Sequence, residues 1–312
     1  MQSRIFLAPM AGVTDAAFRI LTREVTGTQS LMFSEMISAA GLHYNNEKTF
    51  EMLAADRREL PIAVQLFGSN VEFIREAVER VSQLDTIGAI DFNLGCPAPK
   101  IVKNGEGSAL MNNPPLVEKI FRSIRSATAL PISAKMRLGF DRINAIEIAR
   151  ILEDCGVDWI TVHGRTRMQF YSGVADWNEI ARVKSAVKIP VIANGDVRDF
   201  DSLDRILEIT GADGVMIGRA ALGNPWLIGR LEHYIASGRR LPPPSIAERV
   251  RVMKRHLELL LQFKGDYIGI REMRKHAAWY TKGMKGGAEL REQFNRADSE
   301  EEFLNIVDTL GD

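Results

Sequence analysis

Short runs of apolar, largely β-branched residues alternate along the chain with longer stretches whose apolar positions recur every three or four residues. The runs predict strands at 5–10, 31–36, 62–68, 89–95, 132–138, 159–163, 190–194 and 214–218. The stretches between them predict helices. Val71, Ile74, Val78 and Val81 fall on one face of such a helix, and 143–152 and 203–209 repeat the pattern. Strand starts recur about every 30 residues, the length of one βα unit. Eight such units over roughly 230 residues predict an α/β fold of the (β/α)8, or TIM-barrel, type. A doubly wound sheet is the alternative. It has fewer strands and often carries a Gly-rich dinucleotide turn after the first, and residues 8–15 do not make that turn.

The pattern changes once, at Pro242, Pro243 and Pro244. Three prolines in a row cannot continue a helix and make a stiff extended connection. Ser245 then offers an N-cap, with Glu248 completing a capping box. Val250, Met253, Leu257 and Leu260 step at helical spacing beyond it, as do Ile270, Met273, Ala277 and Tyr280. The predicted organisation is a barrel domain at 1–240 and a small all-helical domain at 245–312.

Composition narrows the function classes. The 312 residues carry 40 Lys and Arg against 40 Asp and Glu, so no uniform basic coat for nucleic acid exists. Two cysteines cannot build a disulfide framework, which suits a reducing cytoplasm. No apolar run nears the roughly 20 residues needed to span a bilayer, and the N-terminus lacks a signal-peptide pattern. A soluble cytoplasmic protein is expected. Charge is nevertheless segregated in the tail: residues 249–285 hold ten basic and three acidic residues, and 286–312 hold two and eight. Arg271, Arg274, Lys275 and Lys282 line up at helical spacing, as either a solvated face or a surface for RNA phosphates.

In a (β/α)8 barrel, chemistry sits where strands end. Gln65 interrupts an apolar strand. Asp91 and Asn93 share one strand face, as do Ser133, Lys135 and Arg137, and His163 closes another strand. Any one of these could be a satisfied structural group; four strands repeating the placement predict a polar ligand site. The turns Asn194-Gly195-Asp196 and Gly218-Arg219 follow strands seven and eight, where barrels hold phosphate on backbone N–H groups. Cys96 opens the longest interval between strands, a Gly-, Asn- and Pro-rich loop expected to be mobile. There its thiol could act as a nucleophile or a proton donor. Cys155 reads as a small buried hydrophobe. The cysteines and the scattered histidines give no metal-ligand spacing, so no metal is expected.

The segments LAPMAGVTDAAFR, SEM, VQLFGS, DFNLGCPAPKIVKNGEGSALM, KMRLG, TVHGRTRMQFYSG, VIANGD, MIGRAALGNPW and RKHAAWYTKGMKG run through nearly the whole chain. With them the sequence resembles the tRNA-dihydrouridine synthases, the bacterial B type most closely. The stretch from DFNLGCP to GSALM is the most specific. The barrel turns are shared with other flavin barrels such as dihydroorotate dehydrogenases. Ser108 departs from the usual glycine, with no expected loss of activity.

The resemblance implies FMN as cofactor and NADPH as reductant, with NAD(P)+ the acceptor in the reverse direction. Pro9, Met10 and Ala11 would line the flavin ring, Gln65 and Lys135 would bond its polar edge, and His163 would lie beside it. Asn194, Gly195, Asp196, Gly218 and Arg219 would hold the phosphate. Hydride would pass to C6 of a D-loop uridine while Cys96 gives a proton to C5. Asn93 and Arg137 would touch the uracil edge. Arg165 at the barrel mouth and Arg271, Arg274, Lys275 and Lys282 in the tail would contact the tRNA. A monomer is expected, with no membrane partner. Other readings stay open: a flavin barrel for a free pyrimidine or enone, a Schiff-base lyase using Lys135, and a non-catalytic RNA-binding module.

Overall fold

The computed structural model describes residues 4–53 and 55–310. Eight parallel strands alternate with helices, as the hydrophobic spacing predicts: β1 (Ile5–Leu7), β2 (Met32–Ser38), β3 (Ile62–Phe67), β4 (Ile87–Leu94), β5 (Ile132–Arg137), β6 (Trp159–His163), β7 (Val191–Asn194) and β8 (Gly214–Ile217). Their order, β1-β8-β7-β6-β5-β4-β3-β2, is that of a TIM barrel. Beside the β1 edge, Ser30 Oγ donates to the Ile5 carbonyl. Helices 71–81, 145–154 and 200–210 stand where periodicity places helices, within three residues at the ends.

The chain forms two compact units. One holds the residues up to Gly12 and Gln29–Gly218, and the other holds Val13–Thr28 and the chain from Arg219. In the first unit, Phe6, Ala8, Phe33, Ala63, Ala89, Ile192 and Met216 close the barrel interior as an apolar plug. Strand alternation carries the same inward face on from Ala63 to Gln65 and from Ala89 to Asp91 and Asn93. Polar residues therefore begin where the plug ends.

In the second unit, the helix Ala16–Thr26 starts on an Asp15 N-cap and buries Ala17, Ile20 and Leu21 among Met253, Leu257, Leu260, Met273, Ala277 and Tyr280. Lys264 Nζ lies 2.5 Å from the Asp15 carboxylate, and Arg255 grips Glu24 through two nitrogens at 2.7 and 2.8 Å. The long helical segment Ile246–Tyr280 opens on the predicted Ser245–Glu248 capping box. It breaks at Gly265, whose φ of 70° and ψ of 170° are not helical. The two arms return on each other: a Cβ on Gly269 would lie 3.0 Å from the Leu260 carbonyl, and Lys264 bonds Glu272 at 2.6 Å. His256 and His276 lie buried between the arms with ring centroids 4.3 Å apart. Burial, ahead of nearby charges, pushes His256 down to about 4, so both rings pack as neutral aromatics. Among the described residues, no helix is long and apolar enough to cross a membrane.

Candidate active site

The inward-facing polar residues stack in layers because parallel register aligns them. Gln65, Asp91 and Ser133 stand side by side on β3, β4 and β5. Asn93, Lys135 and Thr161 follow on β4, β5 and β6, and Arg137, His163 and Asn194 follow on β5, β6 and β7. Asp91 lies deepest. It accepts from Gln65 Nε2 at 2.6 Å and from Ser133 Oγ at 2.5 Å. Burial outweighs these two bonds and the Lys135 charge, so its carboxyl is pushed up to about 6.

A directed chain of hydrogen bonds climbs from this carboxylate to the backbone that carries the thiol. Gln65 gives its amide N–H to Asp91, so its oxygen is left to accept from Asn93 Nδ2 at 2.9 Å. Asn93 then presents its own oxygen to the backbone N–H groups of Gly95 at 3.0 Å and Cys96 at 2.8 Å. An acceptor-only group at the bottom thus fixes both amide orientations above it.

Cys96 is half-buried, and burial raises its thiol above the ordinary cysteine value, so it stays protonated through neutral pH. The loop after it is folded: it contains the helix Pro99–Lys103 and the 3-10 helix Gly107–Asn112. Ser108 supplies both its N–H and its hydroxyl to the Cys96 carbonyl, at 3.1 and 2.8 Å. A Cβ on Gly107 would stand 2.9 Å from that carbonyl and 3.0 Å from Cys96 Cβ, and its φ of +60° also favours glycine. Cys155 is buried at a helix C-cap, in keeping with a packing role.

Lys135 bonds Asn194 Oδ1 at 3.2 Å, and Asn194 donates in turn to the Met216 carbonyl at 2.7 Å. Burial, helped by Arg137, pushes the ammonium down to about 8. Thr161 Oγ1, beside Lys135 in register, is buried with no hydrogen-bond partner among the described residues. The β7 turn takes two consecutive positive φ values, 125° at Gly195 and 59° at Asp196. A side chain on Gly195 would meet Ala175 Cβ at 2.7 Å and the His163 ring at 3.0 Å. Gly218 stands next to Met10, whose sulfur would lie 3.9 Å from a Cβ there. Pro9 and Met10 are half-buried and Ala11 is exposed. Arg219 is exposed, opens the turn Arg219–Ala221 and belongs to the second unit.

Two arginines expected to meet substrate are held by the protein's own backbone. Arg137 donates to the carbonyls of Gly95, Thr166 and Phe170 at 2.8–2.9 Å. Arg165 is 1% exposed, pairs with Asp196 at 2.7 Å and donates to the carbonyls of Ser172 and Gly173. In the second unit, Arg274 is similarly tied to the Ala297 carbonyl and Asp298. Arg271 and Lys282 are exposed, and Lys275 is partly exposed near Glu272. Spacing had not distinguished Glu35, whose carboxylate accepts from the Gly12 N–H, nor the exposed rings of Phe170 and Tyr171. The motif segments SEM and TVHGRTRMQFYSG were the only signal for them.

A barrel that buries a carboxylate and two arginines and half-buries a lysine at its strand ends has forgone apolar core for polar groups, an arrangement that belongs to enzymes. A family model described as dihydrouridine synthase (Dus) matches residues 6–311. The chain is 40% identical over 310 residues to a probable tRNA-dihydrouridine synthase 1 of Synechocystis, covering 99% of this chain and 86% of that one. It is 43% identical over 300 residues to a probable tRNA-dihydrouridine synthase of Rickettsia conorii, covering 95% and 89%. It is 38% identical over 313 residues to tRNA-dihydrouridine synthase B of Pseudomonas putida, covering 98% and 91%. Among solved structures, histamine dehydrogenase from Rhizobium shares the fold, with a TM-score of 0.54 at 14% identity over 82% of this chain and 49% of that one. The chain belongs to the dihydrouridine synthase family and is an oxidoreductase.

Proposed function

We propose that the protein reduces the C5–C6 double bond of a D-loop uridine in tRNA, with FMN in the barrel mouth, NADPH as reductant and Cys96 as proton donor. The observation that carries this reading is the chain from Asp91 through Gln65 and Asn93 to the Cys96 backbone, which holds a protonated thiol just past the end of β4, with the half-buried cation Lys135 on the neighbouring strand. When bound, the flavin supplies hydride to uracil C6. The residues present suit such a ring: Lys135 offers a cation to its polar edge, and the orphaned Thr161 hydroxyl offers a donor in the same layer. The Gly195 and Gly218 turns suit its phosphate, because positive-φ turns and strand-end N–H groups favour anions. Asn93 and Arg137 hold the thiol's loop, through Asn93 Oδ1 and through Arg137 Nε, while Arg137 Nη1 donates to the Phe170 carbonyl. Cys96 Sγ–H gives its proton to C5, and the thiolate left behind recovers one from solvent.

Protein purified from the cytoplasm should be yellow and release FMN on denaturation. It should also form dihydrouridine in unmodified tRNA with NADPH. Colourless protein that FMN cannot reconstitute overturns the flavin assignment and favours Schiff-base chemistry at Lys135, whose lowered pKa suits a nucleophile.

The barrel at 1–240 would carry the chemistry and the helical domain at 245–312 the tRNA grip. Arg271, which stacks on the exposed Tyr267 ring, Lys275 and Lys282 are exposed or partly exposed and so are the candidates for phosphate, while Arg274 is tied to Ala297 and Asp298. The Arg271→Ala, Lys275→Ala, Lys282→Ala protein should bind tRNA more weakly, with a salt slope lower by about 0.7–0.9 per lost contact. Phosphate contacts position without reading bases, so the modified uridine should not change. Unchanged affinity and slope would return these residues to a solvated face.

A further inference from the structure

The loop after β6, tied through Arg137 to the loop that carries the thiol, bears exposed apolar side chains, and the mechanism above uses none of them. Phe170 is 44% exposed, Tyr171 46% and Met168 62%. Their rings are ordered: Phe170 and Tyr171 pack edge to face with centroids 5.0 Å apart, and the Arg137 guanidinium lies 5.5 Å from the Tyr171 centroid. Phe170 sits at φ +54°, a left-handed conformation that bulky side chains avoid. Such strain persists only where surrounding contacts over-determine it.

Hydrogen bonds from both sides of the loop supply those contacts. Arg137 holds the Phe170 carbonyl and Arg165 holds those of Ser172 and Gly173. The N–H groups of Arg167 and Met168 donate to the carbonyls of Gly139 and Phe140. Arg137 also donates to the Gly95 carbonyl, so one guanidinium fastens the aromatic loop and the thiol loop together. The rim is therefore a fixed platform joined through Arg137 to the loop that carries Cys96.

We propose that this loop is a stacking platform for the unpaired tRNA bases that flank the uridine being reduced. The inference rests on the tRNA reading given above and names the part of the site that receives the strand. Exposed rings beside cations suit single-stranded nucleic acid, because every base has a face to stack and a phosphate to neutralise. The cations here are Arg167, whose guanidinium lies 5.2 Å from the Phe140 ring centroid, and the exposed Lys100 and Lys103. A base turned out of a folded tRNA leaves its neighbours unstacked, and aromatic rings replace the contacts they lose.

The test uses purified full-length protein and unmodified tRNA transcript. Phe170→Gly removes the ring while suiting the backbone, so its unfolding midpoint should not fall. It should bind tRNA roughly tenfold more weakly or worse, as expected for a lost base–aromatic stack, with an unchanged salt slope. Phe170→Trp should restore binding, and Phe170→Leu should not. Lys100→Ala with Lys103→Ala should lower the slope instead. Wild-type affinity in Phe170→Gly, or rescue by Leu as well as Trp, overturns the platform. If the wild-type protein makes dihydrouridine but the Phe170 variants bind normally, only this inference fails. A wild-type protein inactive on tRNA fails the underlying reading instead.

Discussion

Cys96→Ala should leave a protein that binds tRNA and accepts reducing equivalents from NADPH, yet forms dihydrouridine roughly 10²–10⁴ times more slowly, the usual cost of losing a general acid. The structure gives two reasons to expect a clean result. The bonds that place residue 96 run to its backbone N–H and carbonyl, so alanine keeps the loop. The thiol is protonated at neutral pH because burial disfavours the thiolate. The wild-type rate should therefore hold through neutrality and fall only as alkaline pH removes the proton, and the variant should lack that limb. Single-turnover dihydrouridine formation against pH measures both. Turnover close to wild type would make Cys96 a packing residue like Cys155.

Lys135→Met should cost roughly 10²–10³ in the same step, as deletion of one preorganised charge-stabilising donor does. It should also act in the ligand-free protein. The folded-state value of about 8 lies below the ordinary 10.5. Between those values the unfolded chain holds a proton that the folded chain has lost, so stability rises with pH across that window. Below it, the half-buried, partly desolvated charge destabilises the barrel. Methionine fills similar volume without the charge, so the variant should unfold at higher temperature at pH 7 and lose the rise between pH 8 and 10.5. Thermal unfolding from pH 6 to 10 reads both. An identical pH slope in the variant would mean that Lys135 is not a desolvated cation.

The strands of the barrel were legible because parallel strands buried on both faces become short apolar runs, and these recur at the spacing of a βα unit. The site was legible for a related reason: Gln65, Asp91, Asn93, Lys135 and His163 interrupt runs that are otherwise apolar. Alternation also placed Asp91 with Asn93, and Lys135 with Arg137, on shared faces. Less certain from the pattern was the loop after Cys96. Its Gly and Asn residues look like flexibility, but Gly107 is needed for close approach to the Cys96 carbonyl.

What the sequence by itself determined, then, was the set of strands, the polar positions that end them and the membership of a family, since each rests on periodicity or on local motifs. Only the tertiary structure decided which polar groups are available. Arg137 and Arg165 have the charge and position expected of substrate contacts, and carbonyls from distant loops accept from several of their donors. Arg274 shares a helical stripe with Arg271, but a turn 23 residues away binds its guanidinium. The helix Ala16–Thr26 follows β1 in the chain, but its apolar face is buried among helices of residues 246–307. Periodicity gives a side chain its direction along an element. Its partner comes from long-range packing, which brings together groups that no local spacing connects.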